Sequence, residues 1–229
     1  MTKNAWDSPL PTANGQLLIG QDSGPPAWAT LTAGTGTSIS NTAGGATINF
    51  DDALQDFELI ATVTASGASE VTFTGLSSTY DTFWISFQGV QPTNDAEIMY
   101  LRTSTDNGST YDSGASDYAW SSSGTNDGGT IDPEGSSADT QISLAGDQSS
   151  EELGNSTNET LSGNLTIYNP LDTQWTKFNF NFTYLDLSGD SNSLTGGGAR
   201  LSTADVDALR IFMATGTING LFKLYGFKA

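Results

Sequence analysis

The sequence predicts an all-β fold: an antiparallel β-sandwich, jelly-roll-like, preceded by a short β-rich N-terminal trimerisation and attachment segment. Three observations lead there. Apolar and polar residues alternate over short runs, most strictly in Trp175–Asp186. Clusters of Gly, Ser, Asn and Asp separate the runs. Almost no segment reads as helix, so no crossover helix is available for a parallel sheet.

Taken in chain order, the first fifty residues give four small strands, Leu17–Ile19, Trp28–Leu31, Ser38–Ser40 and Ala46–Phe50. These runs are too small to bury a core within one chain, which suits a segment that packs against copies of itself. The stretch Asp51–Phe57, DDALQDF, suits a single helical turn and is read as a linker. Glu58–Thr64 and Val71–Thr74 then flank a turn at SGAS. Thr82–Gln88 places Phe83, Ile85 and Phe87 on one face. Glu97–Thr103 sets Ile98, Tyr100 and Arg102 against Met99 and Leu101. Residues 115–160 are Ser, Gly and Asp-rich and read as long loops, with one short strand at Thr140–Leu144.

Further on come Asn164–Tyr168, Trp175–Asp186, Ala208–Ala214 and Leu221–Phe227. The run WTKFNFNFTYLDL puts Phe178, Phe180, Phe182 and Tyr184 on one face. Lys177, Asn179, Asn181 and Thr183 take the other, as in an antiparallel strand with one buried side. About eight to ten strands from residue 58 onward fit two packed sheets. The organisation read from this is 1–50 as stem or attachment segment, 51–57 as linker and 58–229 as head domain.

Composition removes several functions. The chain has 229 residues, no cysteine and no histidine. Disulfides, thiolate or imidazole metal sites, cysteine nucleophiles and Ser-His-Asp triads are thereby excluded. Acidic residues outnumber basic ones 26 to 7, a formal net charge of -19. That argues against nucleic acid, whose phosphates require Lys and Arg, and against anionic membrane surfaces. No window approaches the ~20 apolar residues of a membrane span, and MTKNAWDSPLP is not a secretory signal. Acceptor tripeptides at Asn107, Asn155, Asn158, Asn164 and Asn181 are then read simply as polar loops and strands. Acidic, oxygen-rich loops suit a structural calcium ion, but no stretch has the ligand spacing of a helix-loop-helix calcium loop. No metal ligand and no cofactor are therefore assigned.

Ser104–Tyr111, STDNGSTY, matches the Asp-box pattern S-x-D-x-G-x-T-W with Tyr last. Its physics is that of a hairpin. Asp-Asn-Gly supplies positive φ, and the Asp and Thr oxygens satisfy turn amides. A single copy is read as structure, not as sialidase chemistry. Glycoside hydrolysis needs two carboxylates, one with a raised pKa. Asp147 with Glu151 or Glu152, and Asp132 with Glu134, lie in polar sequence and read as solvated loop acids, so no catalytic residue is assigned. Tyr111, Tyr118 and Trp120 beside the loop-rich middle are the candidate glycan or receptor contacts, through ring stacking on a sugar. The opposing reading packs them inward, since Tyr118 and Trp120 share one face of a strand.

Two groups of segments carry a resemblance. NGQLLIG and TLTAGTGTSI, within Asn14–Phe50, resemble a segment near the start of many tail-fibre proteins of tailed bacteriophages. The stretch from Ala61 to Ser113, with TASGASEVTFTGL, a Tyr-Asp turn and STDNGSTYDS, looks like a domain recurrent in phage virion proteins. Tyr168-Asn169-Pro170 and the final GTINGLFKLYGFK match its later parts. Only residues 115–160 match weakly. The resemblance implies a non-enzymatic virion structural protein on the particle surface, made in the bacterial cytoplasm. It implies a homotrimer that docks on another virion protein, a tail adaptor or the capsid protein. One role is a short tail fibre or spike that attaches to a host-surface glycan or protein. The alternatives are a head fibre or capsid decoration protein, or a lectin-like module. Trp6, Leu10, Leu17, Leu18, Ile19 and Trp28 are the expected virion anchors.

Overall fold

A computed structural model describes residues 11–21, 24–50, 56–148 and 151–228. The chain divides into two units, Met1–Gln55 and Asp56–Ala229. In the first, β1 (Gln16–Gln21) pairs with β2 (Gly24–Thr30), and β3 (Thr37–Thr42) pairs with β4 (Gly45–Phe50), both antiparallel. These are separate two-stranded sheets. Gly44, at φ 81°, closes the β3–β4 hairpin in a conformation that disfavours a side chain. No described residue of this unit is buried. Of the helical turn expected at Asp51–Phe57, residues 51–55 lie outside the described residues, and Phe57 is extended.

The second unit is an all-β antiparallel sandwich. Its strands are β5 (Phe57–Ala68), β6 (Val71–Thr74), β7 (Tyr80–Pro92), β8 (Met99–Ser104), β9 (Tyr118–Asn126) and β10 (Ile131–Asp139). β11 (Ile142–Ala145), β12 (Leu161–Tyr168), β13 (Lys177–Leu185), β14 (Ser191–Arg200), β15 (Ala208–Met213) and β16 (Ile218–Lys228) follow. Eight form one sheet in the order β10-β9-β14-β13-β12-β7-β16-β5, and four form the other, β11-β8-β15-β6. This eight-and-four division exceeds the eight strands of a jelly roll. Phe57, read as linker, is the first residue of β5, and β5 continues through Ala68, so the turn falls at Ser69–Glu70.

One hydrophobic cluster fills the space between the sheets. Its centre is β13, where Phe178, Phe180, Phe182 and Tyr184 are at most 2% exposed and the intervening residues face solvent. Phe87 meets Phe182 and Phe222 edge-on, with ring centroids 5.0 and 5.2 Å apart, a favoured aromatic geometry. Met99 and Leu101 of β8 point inward, while Tyr100 and Arg102 are half-buried on its other side.

Two expectations are corrected. Residues 115–160 hold more strand than expected: β9 and β10 run through them, while β11 overlaps the short strand expected at Thr140–Leu144. Residues 191–200, left without a strand, form β14. Both have the same physical reason. The inward positions of β9 and β14 include Ser122, Gly124 and Gly198, which carry little apolar signal, because larger neighbours fill their space. A β-carbon on Gly196 would collide with the Phe180 ring, and one on Gly198 would lie 3.0 Å from Ile142 Cδ1. These strands hold together through their neighbours' side chains rather than their own.

Candidate functional site

The Asp-box segment leaves β8 as a tight turn locked by its own side chains. Asn107 and Gly108 adopt φ 57° and 82°. Asp106 Oδ1 accepts the Thr110 amide at 2.8 Å, and Asp106 Oδ2 accepts the Thr110 hydroxyl at 2.7 Å. Ser104 Oγ takes the amides of Asp106 and Gly108, at 3.2 and 2.8 Å, so serine rather than threonine caps the turn amides. Asn107 Oδ1 accepts from Gly75 N, and Asp207 Oδ1 accepts from Asn107 N, tying the turn to two other loops. Donors converging on Asp106, led by the Thr110 amide, hold its carboxyl below the usual range. This is a structural device, as read from sequence.

Of the three expected contact aromatics, two face the core. Tyr118 is fully buried. Its hydroxyl accepts the Thr103 amide at 2.8 Å and donates to Asp112 O at 3.2 Å. Burial pushes the phenol pKa up. Trp120 is 8% exposed and donates Nε1–H to Asp139 Oδ2 at 3.0 Å. Neither ring can stack on a sugar, because the face shared by Tyr118 and Trp120 is the core face. Tyr111 is half-buried beneath the Arg210 guanidinium, 4.8 Å from the ring centroid. Arg200, buried beside them, binds Asp112 at 2.9 Å and Asp117 at 3.2 Å and so closes the loop between Tyr111 and Tyr118.

The candidate acids also differ from expectation. Glu151 is only 5% exposed, and Asp147 is half-buried, so neither is a solvated loop acid. Burial, then Asp132, raises the Glu151 pKa; burial, then Asp139, raises that of Asp147. The segment carrying them covers the inner face of β9, where Gly124 leaves room for the Glu151 carboxyl. Among the described residues no three acidic side chains are grouped as a metal site.

The surface best suited to binding is the outward face of the eight-stranded sheet, which the sequence did not single out. Strand register sets three rows across β12, β13, β14 and β9. Asn164, Asn181, Thr195 and Ser123 form one; Thr166, Asn179, Gly197 and Ser121 the next; Ser162, Thr183, Ser193 and Thr125 the third. These rows offer amides and hydroxyls and no charge. On the same face, β5, β7 and β16 bring Phe57, Trp84, Tyr225 and Phe227 together. Phe57 stacks on Tyr225 at 4.7 Å, and Trp84 lies 5.4 Å from Tyr225. Phe57, Leu59 and Phe227 remain 43%, 51% and 37% exposed. Only the register of β9 and β14 joins the polar rows, and the small residues by which those strands enter the rows carried no readable pattern.

Of the expected anchors, Leu17, Leu18 and Ile19 are 47%, 38% and 47% exposed. Trp28 is half-buried opposite Leu18. Trp6 and Leu10 lie outside the described residues. No protein-family model matches the chain, and no curated protein is significantly similar to it.

Proposed function

We propose that this chain is a non-enzymatic structural protein of a tailed-bacteriophage virion, a short trimeric fibre that attaches the particle to the host surface. The observation that carries the reading is the first unit. Its two hairpins bury no described residue, and they expose Leu17, Leu18, Ile19, Ile48 and Phe50, the last at 82%. Isolated two-stranded hairpins are marginal in water. Exposed apolar strands of this kind are stabilised when copies pack around a common axis, each covering its neighbours. The segments resembling tail-fibre and virion proteins run in the same order along this chain, which supports the same reading.

The outward face of the large sheet supplies the attachment surface in this proposal. Uncharged amide and hydroxyl rows beside exposed rings match a polyhydroxylated ligand: rings stack on the apolar faces of sugars, and amides exchange hydrogen bonds with hydroxyls. Light scattering on the intact chain should give three times the monomer mass, and a monomer at micromolar concentration would remove the trimer. Labelled antibody on intact particles should mark the tail, and added free protein should block adsorption. Label over the capsid would replace the attachment role with shell decoration.

A further inference from the structure

Three buried side chains lie near one another at the end of the sandwich, each with an oxygen that meets no donor. Gln148, Glu151 and Asn192 are 1%, 5% and 0% exposed. Among the described residues, Gln148 Oε1, Glu151 Oε2 and Asn192 Oδ1 have no hydrogen-bond partner. Buried acceptors without partners destabilise a fold and are uncommon in folded proteins. Two of these side chains are hydrogen-bonded through their amide nitrogens. Gln148 Nε2 donates to Ser122 Oγ at 2.9 Å, and Asn192 Nδ2 donates to Asp186 Oδ2 at 3.0 Å. Turning the Asn192 amide over would set its oxygen against that carboxylate.

The groups share one neighbourhood. A β-carbon on Gly124 would stand 3.2 Å from Glu151 Oε2 and 3.5 Å from Gln148 Cγ. Asn192 is the register partner of Tyr184, whose hydroxyl donates to Glu151 O at 3.0 Å. Asp132, opposite Gly124 on β10, and Asp186 both act electrostatically on Glu151. Among the described residues neither Glu151 nor Asp186 forms an ion pair. Among the described residues, Gln148, Glu151 and Asn192 thus form a set of acceptors with no ion-pair partner.

We propose that Gln148 Oε1, Glu151 Oε2 and Asn192 Oδ1 are protein ligands of a divalent cation site of calcium type, with Asp132 and Asp186 adding negative charge around it. The donor set consists of hard oxygens, one carboxylate and two amides. Calcium accepts such mixed sets, completed by backbone carbonyls or water, at 2.3–2.6 Å; magnesium demands near-octahedral geometry and retains its water. Softer metals find no thiolate or imidazole in this chain. The ion would tie the segment after β11 to β9 and β14.

The intact chain, stripped with chelator, should melt several degrees higher in millimolar calcium and change little in millimolar magnesium. Terbium should luminesce on the protein, sensitised by Tyr184, whose hydroxyl donates to Glu151 O at 3.0 Å, and calcium should quench that emission. Glu151→Gln and Asn192→Ala should each weaken calcium binding by about tenfold or more. Absence of both a melting shift and terbium emission would overturn the site. So would calcium binding that both variants leave unchanged. A parent protein that does not respond to calcium, with Glu151→Gln more stable than it at pH 7, would show that a proton, not a cation, neutralises Glu151.

Discussion

At Tyr118 one hydroxyl serves two backbone groups, the buried Thr103 amide and the Asp112 carbonyl. Tyr118→Phe would leave the Thr103 amide buried without an acceptor, at a cost of about 1–3 kcal/mol; urea unfolding of the two proteins measures it. Asp106 predicts a pH effect. Its folded pKa is depressed by the Thr110 and Ser104 hydrogen bonds, so its contribution is present above the unfolded value of about 3.9 and is lost as pH falls through the folded value. Denaturant midpoints should therefore fall less steeply below about pH 4 in Asp106→Asn than in the parent. Glu151 has the opposite sign. Its pKa is raised by burial, so without a cation its charge destabilises the fold progressively as pH rises above about 4.3.

At the scale of elements, legibility depended on where the bulk sits. β13 was readable because its own residues alternate Phe with Asn. β14 and the second half of β9 were not, because inward positions such as Ser122, Gly124, Gly196 and Gly198 are small and the volume comes from Phe180, Ile142 and Trp120 beside them. A hydrophobic pattern read along one strand misses a core built across strands. Gly196→Ala tests this directly. The added methyl would meet the Phe180 ring and the Ser121 carbonyl 2.9 Å away, and overpacking of that kind costs about 1–3 kcal/mol. Thermal melting should show a loss of several degrees; an unchanged midpoint would mean that the ring can move aside. The same gap explains the candidate site. Asn179 and Asn181 were legible as outward residues, but the rows they join need Thr195 and Ser123 from the two strands that were not.

For the whole molecule, the buried core belongs to one unit. Every buried residue of the hydrophobic cluster lies between Ala65 and Leu224, and none lies in the first unit. The fragment 56–229 should therefore fold alone, melt cooperatively and remain monomeric, while losing incorporation into particles. Circular dichroism and light scattering check the first claims, and assembly onto particles lacking the protein checks the last. A fragment that still assembles would move the docking function out of the hairpins. Composition made the exclusion of thiol and imidazole chemistry legible at once, since it needs no geometry. Placement of Glu151 was not legible, because burial of an acid depends on a glycine in a different strand.

The position of β16 bears on how the chain is made. β5, the first strand of the sandwich, is bonded only to β16 within its sheet, and the side chain of Asn219 accepts the amide of Gly67 across 152 residues of sequence. During synthesis β5 must wait, unpaired, until almost the entire sandwich sequence has been translated. Pairings of such long range slow folding and expose bare strand edges to other chains. The Glu58 and Lys228 ion pair at the end of that ladder, 3.4 Å long, forms only when both distant segments have arrived. A ribosome stalled before β16 would thus release a chain with a long open edge, a substrate for proteases and chaperones rather than for assembly.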